Sequence, residues 1–231
     1  MNIKESLKSL TRFEKWLWLV SAVVVTGAFL VFKSTNYLTL CASLIGVSAL
    51  IFLAKGYAIG QILIIIFSLF YGYISFHFRY YGEMITYLGM TLPMAIVALV
   101  SWIKHPYKDS SEVEVSKLNG KQISVMCLSA LGVTVAFYFI LKALGNAGLF
   151  FSTISITTSF VAAYLTALRS PYYALGYAAN DIVLIVLWIL AAKEDISSVS
   201  MIFCFITFFV NDLYGFINWK KMEKRQKSAS F

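Results

Sequence analysis

Eight stretches of this chain are each long and apolar enough to cross a bilayer, and the short connections between them hold most of the charge. The spans read as 14–32, 37–54, 57–78, 82–103, 122–144, 150–168, 171–192 and 196–219. Crossing a hydrocarbon core of about 30 Å takes about 20 residues at a rise of about 1.5 Å. A chain with 60% hydrophobic and only 13% charged residues has too little polar surface for an ordinary water-soluble domain. In lipid each segment must satisfy its own backbone, and the period-two alternation of a barrel strand is absent. The expected fold is therefore all-α, an integral membrane protein of about eight transmembrane helices.

The basic residues test that count. With the N-terminus in the cytoplasm, one side collects Lys4, Lys8, Arg12, Lys15, Lys55, Lys104, Lys108, Lys117, Lys121, Arg169, Lys220, Lys221, Lys224, Arg225 and Lys227, which is 15 of the 19 Lys and Arg. Only Lys33, Arg79, Lys142 and Lys193 fall on the other side. The positive-inside rule then predicts a multi-pass protein of the cell membrane with both termini cytoplasmic. The net charge of +8 is read as topology and attraction to anionic lipid, not as nucleic-acid binding, since no folded basic domain has room here. No small-residue cleavage site follows the first span, where the chain runs Phe29, Leu30, Val31, Phe32, Lys33, so that span is expected to be retained. Cys41, Cys127 and Cys204 lie in three different spans, without metal spacing or a disulfide framework.

The hydrophilic stretch 104–121 separates two halves that resemble each other. KGYAIGQ at 55–61 matches SPYYALGY at 170–177, placing Tyr57 on Tyr173 and Gly60 on Gly176, and Trp102 before Lys104 matches Trp219 before Lys220. Spans two to four and six to eight have the same direction in the membrane, because span five returns the chain to the outside. The expected organisation is a cytoplasmic N-terminus with an additional first helix (1–36), a triple-helix unit (37–103), a linker and inversion helix (104–149), a second triple-helix unit (150–219) and a basic tail (220–231). Parallel repeats of this kind build transporters whose site lies between the repeats near mid-membrane.

Polar residues inside the spans are then the informative ones. Asn180 and Asp181 lie about 14 Å into the seventh span, and Asn211 and Asp212 about 12 Å from Trp219 in the eighth, so both pairs fall near the membrane centre. A mid-membrane aspartate costs roughly 2.5–3.5 kcal/mol and marks function by default. The asparagines fit either a substrate site or interhelical hydrogen bonding. Thr207, Asn211, Tyr214 and Asn218 form a polar stripe at helical spacing, as expected of a wet path. Tyr173, Tyr177 and Asn180 share a face of the seventh span, with Trp188 two turns further out. Gln61, Ser68 and Ser75 share one on the third, and Tyr87 and Thr91 one on the fourth. Pro93 is placed to kink the fourth span. Arg79 and Glu83 are expected at the outer surface as a solvated pair or a gate contact, and Ser152, Ser155 and Ser159 are spaced for close packing of the sixth span. His77 and His105 have no partner at metal-ligand spacing, and no phosphate loop or serine elbow is present, so neither an enzyme, a metal site nor a cofactor is expected.

The run FVNDLYGFINWKKMEKRQ (209–226) resembles the closing helix of the PnuC-type nicotinamide riboside transporters, with its Asn-x-x-Tyr-Gly-x-x-x-Trp pattern. YYALGYAANDIVLIVLW (172–188) is similar to the preceding helix of that family, and YYGEMITYLGMTLPMAIVALVSW (80–102) to its first-half counterpart. The resemblance covers about 37–219 and implies a 3+1+3 fold related to the sugar-transporting SWEET proteins, assembled as a homo-oligomer, often a trimer. It implies uptake of an unphosphorylated vitamin precursor down its gradient, trapped afterwards by a cytoplasmic kinase, with polar contacts falling on Asn180, Asn211 and Tyr214. Where the family carries a tryptophan one turn beyond the mid-helix asparagine, this chain has Leu184, with Trp188 the available substitute.

Nicotinamide riboside and thiamine are cations, which a carboxylate at Asp181 or Asp212 would offset and an aromatic face would attract. The expectation is thus a bacterial plasma-membrane uniporter for nicotinamide riboside, with Gln61, Tyr87, Asn180, Asp181, Trp188, Asn211, Asp212 and Tyr214 as substrate-binding residues. Thiamine or another vitamin, carried with or without protons, and a membrane scaffold that transports nothing stand as the alternatives.

Overall fold

In a computed structural model that describes residues 9–34, 36–77, 81–108, 110–146 and 148–229, the apolar stretches are helices at nearly the expected bounds. They are α1 (Arg12–Val31), α2 (Tyr37–Ala54), α3 (Ala58–His77), α4 (Tyr81–Thr86), α5 (Leu92–Lys104), α6 (Gly120–Ala143), α7 (Leu149–Ala167), α8 (Tyr173–Ala191) and α9 (Val199–Ser228). A π-helical turn, Tyr87–Thr91, joins α4 to α5 within the fourth span. Seven of the spans meet the length and hydropathy needed to cross a membrane, and in α3 the apolar run is Ala58–Tyr73. The last helix runs nine residues past the expected boundary at 219, carrying Lys220 and Lys227 on an ion-paired end with Glu223. Lys4, Lys8 and Arg79 and the side chains of Ser75, His77 and Glu83 lie outside what is described.

Local sequence explains where the helices begin. Thr11 and Glu14 form a reciprocal capping box on α1, and Asn119 and Gln122 form another on α6. The irregularity in the fourth span starts earlier than Pro93 alone would place it. Leu92 N–H bonds back to Tyr87 O, five residues away, so the turn widens ahead of the residue that lacks a donor.

Six of the spans close into a ring. Helix α3 packs between α2 and α5, and α8 between α7 and α9; the circle is completed by α9 against α2 and by α5 against α7. The third span of each triple thus leans on the first of the other. Helix α6 packs along α7 outside the ring, with Leu128, Leu131, Val135 and Phe139 exposed as a lipid-facing side requires. Helix α1 also lies outside, against α9 and α2.

At the end of the ring that carries the 104–121 linker, the repeat becomes visible in the main chain. Both first helices stop in a left-handed residue, Gly56 at φ 70° and Arg169 at φ 58°. The turns share their bonds: Gly56 N–H to Leu53 O and Tyr57 N–H to Phe52 O in one, Arg169 N–H to Thr166 O and Ser170 N–H to Leu165 O in the other. At these turns the offset is therefore 113, the distance from Gly56 to Arg169. Tyr57 corresponds to Ser170, which corrects the pairing with Tyr173 expected from the short tyrosine-glycine match. The tryptophans act across the ring. Trp102 Nε1 donates to Thr166 O and Trp219 Nε1 to Leu53 O, each at 2.8 Å, and the two rings lie 5.3 Å apart.

The linker straps over both turns. Val113 N–H donates to Gly56 O and Ser116 N–H to Arg169 O. Gln226, on the extension of α9, accepts from Val115 N–H and donates to Val113 O, and Arg225 pairs with Glu112.

Trp219→Phe keeps the ring packing but deletes the bond to Leu53 O, which retains only its turn bond. Loss of about 0.5–1.5 kcal/mol is expected, with a similar loss for Trp102→Phe, read from reversible unfolding in detergent.

Candidate functional site

The site is set by how closely α8 approaches α7. A Cβ on Gly176 would stand 2.9 Å from Ala162 Cα, so only glycine permits this contact. One turn further along each helix, in opposite directions, stand Asn180 and Thr158. Asn180 is buried, and its Oδ1 accepts from Ser155 Oγ and Thr158 Oγ1, both at 2.9 Å. The serine read from sequence as a small packing residue is therefore also a hydrogen-bond donor to the central asparagine. Thr158 sits on the same α7 face, in a helix rich in hydroxyls, which was the available signal for it.

Asp181, the next residue, turns instead toward α9. Its carboxyl group neighbours that of Asp212, and both are buried. Asp181 Oδ2 has no partner among the described residues. The two aspartates placed at equal depth by the sequence are thus brought together.

Further from the linker end, aromatic side chains from both triples meet inside the ring. Tyr71 and Tyr87 lie 4.5 Å apart, with Phe67 5.4 Å and 5.8 Å from them. Leu184, Ile185 and Trp188 of α8 pack against the same cluster, as do Met201 and Phe205 of α9. Tyr87 belongs to the π turn, which carries its ring into the cluster. Leu184 and Trp188 therefore share one neighbourhood, despite their separation around the helix. Tyr71 and Phe67 are additions to the expected set; their aromatic spacing on α3 was visible, but its partner across the ring was not. Gln61 is buried on α3, and its Nε2 has no partner among the described residues.

Asn211 and Tyr214 point their polar atoms elsewhere. Asn211 Nδ2 donates to Ser21 Oγ of α1 at 2.9 Å and to Thr207 O at 2.8 Å, while its Oδ1 has no partner among the described residues. Tyr214 Oη donates to Glu14 Oε1 at 2.7 Å, and Glu14 also pairs with Lys55 at 3.5 Å. Asn218 donates to Ala54 O of α2. The polar stripe on the last helix, expected as a wet path, is in this structure a seam on which α1 and α2 are hydrogen-bonded. The missed partners, Ser21 and Glu14, sit in a span that the repeat does not include, so no internal comparison pointed to them. No group of three or more metal-ligating side chains occurs among the described residues.

The profile of the family described as nicotinamide mononucleotide transporter matches residues 36–221. The chain belongs to this family. It is a membrane transporter by family and fold, and not a member of an enzyme family. It is 29% identical to the nicotinamide riboside transporter PnuC of Neisseria mucosa over 93% of this chain and 83% of that protein. It is 22% identical to the PnuC of Haemophilus influenzae, over 90% of each. The crystal structure of the vitamin B3 transporter PnuC superposes with a TM-score of 0.81 at 26% identity, covering 96% of this chain and 97% of that one. The family match starts at residue 36, just before α2, so α1 lies outside it.

Gly176→Ala should force α8 away from α7 and cost about 1–3 kcal/mol through overpacking. Thermal unfolding in detergent measures it, and Ala162→Gly in the same protein should recover part of the loss.

Proposed function

We propose that this transporter carries nicotinamide riboside across the bacterial plasma membrane by facilitated diffusion, with a cytoplasmic kinase trapping the product of uptake. The observation that carries this reading is the pairing of an aromatic cluster with a carboxyl pair in a ring without cationic side chains. Between the ends of the ring helices the sequence has no lysine or arginine: Lys104 and Lys220 are the first to appear, both at the linker end. Asp181 and Asp212 are buried in that same interior. A phosphorylated nucleotide would bring a dianion beside two carboxyl groups with nothing to offset it. An unphosphorylated pyridinium nucleoside brings the opposite charge, and the Neisseria and Haemophilus relatives are transporters of such a molecule.

The pyridinium ring is held against Trp188 and Tyr87, with Asn180 and Gln61 supplying hydrogen bonds to its polar substituents and the aspartates offsetting its charge. Asn211 and Tyr214 contribute from the last helix when their bonds to α1 open. The two triples rock about this site, and the linker end faces the cytoplasm together with both termini. The protein assembles as a homo-oligomer, in our reading a trimer, in the bilayer. The neighbouring buried carboxyl groups of Asp181 and Asp212 support a second reading, in which transport is proton-coupled; uptake into proteoliposomes that collapses at once when a protonophore is added would favour it.

Titration calorimetry of the purified protein with nicotinamide riboside, thiamine and riboflavin in parallel tests the substrate. Saturable binding of nicotinamide riboside alone is expected, and Trp188→Leu should weaken it by about 3- to 30-fold through lost cation–π attraction. Preference for thiamine would reassign the substrate, and binding of none would bring the scaffold reading forward.

A further inference from the structure

Asn180 carries two different ends, and its neighbours on α7 decide which end is available. A side-chain amide has a carbonyl that accepts and an NH2 that donates, so turning it over reverses what a ligand meets. Here the carbonyl oxygen lies 2.9 Å from Ser155 Oγ and 2.9 Å from Thr158 Oγ1. These two hydroxyls are not equivalent. Thr158 Oγ1 also lies 3.0 Å from Ile154 O and 3.0 Å from Ser155 O, so its single proton has main-chain acceptors to turn to. A threonine bonded to its own helix in this way would accept from an amide NH2 as readily as it donates to an amide oxygen. Ser155 Oγ has Asn180 Oδ1 as its acceptor, and no main-chain bond from it occurs among the described residues. Turning Asn180 over would set the Ser155 proton against a donor, so this half-buried hydroxyl would have to give up its bond to the amide oxygen and reorient.

We propose that Ser155 is a positioning residue that fixes Asn180 with its carbonyl toward α7, so that Asn180 meets the transported molecule only as a hydrogen-bond donor. The complementary group on the substrate is an acceptor oxygen, as a ribose hydroxyl or a carboxamide carbonyl provides. Thr158 accompanies this bond without deciding it. The inference rests on the substrate reading above and names the role of one residue within it. It also explains the close approach at Gly176 and Ala162, which brings the two helices near enough for a short side chain such as serine to reach the amide.

Two measurements test it. In calorimetry with nicotinamide riboside, Ser155→Ala should raise Kd about 3- to 10-fold, the size of one net hydrogen bond. Ser155→Thr, which restores a hydroxyl, should return Kd to within about twofold of the parent, and Thr158→Val should stay within about twofold. Independently of any ligand, the side-chain amide of Asn180, followed by 15N-asparagine labelling in detergent, should give one NH2 pair in the parent and in Thr158→Val. In Ser155→Ala that pair should double or broaden as the amide turns over. An unchanged Asn180 signal in Ser155→Ala overturns the proposal whether or not nicotinamide riboside binds. So does an unchanged Kd in Ser155→Ala, or a Ser155→Thr protein as weak as Ser155→Ala. Failure of the parent protein to bind nicotinamide riboside, with the amide signals behaving as described, would instead overturn the substrate reading and leave the positioning role standing.

Discussion

Two indole N–H groups reach across the ring and end on carbonyls at equivalent places in the opposite repeat. Trp102 bonds to Thr166 O and Trp219 to Leu53 O. Helix ends in a membrane protein leave carbonyl groups that water does not always reach, and each unpaired group is expensive. Here each helix end is served by the other triple, so neither triple satisfies its own turn completely. The exchange holds α9 against α2 and α5 against α7, and these two contacts turn two three-helix layers into a closed ring. Everything inside the ring depends on it: the carboxyl pair, the aromatic cluster and Asn180 all lie on helices whose spacing these contacts set.

Within the ring, polarity is graded by depth. The linker end is filled by Trp102, Trp219 and Tyr173, with Trp219 5.0 Å from Tyr173. Beyond them come Asn180 and the two aspartates, then the cluster of Phe67, Tyr71, Tyr87 and Trp188. In the proposed reading, an aromatic cation with hydrogen-bonding substituents would meet a matching group at each level. The order also separates two kinds of polar residue on α9, since Asp212 faces α8 while Asn211, one residue earlier and about 100° around the helix, faces α1.

The spans were legible because their signal is local: apolar length, basic ends and capping residues sit within each segment. The meeting of Asp181 with Asp212 was half legible, as depth follows from counting residues while facing direction does not. What escaped the sequence needed a partner from far along the chain. The repeat offset is carried by main-chain bonds and a left-handed turn that uses glycine once and arginine once, so residue identity misled the alignment by three positions. The stripe through Asn211 and Tyr214 was visible as polar, but Ser21 and Glu14, 190 and 200 residues away, decided what it binds. Of the two hydroxyls on Asn180, Ser155 was in view only as a small packing residue and Thr158 was not singled out, and only the approach at Gly176 placed both as donors.

The linker has a mechanical consequence. Val113 holds the turn at Gly56 and Ser116 the turn at Arg169. At about 3.3–3.6 Å per residue, this tether has a reach of about 10 Å. The two turns it joins therefore cannot separate beyond that reach without breaking a main-chain bond, whatever the rest of the ring does. Rotation costs the tether little and translation a great deal. The linker therefore limits how far these two turns can part, and it sets no such limit at the far end, where Tyr87 and its π turn stand.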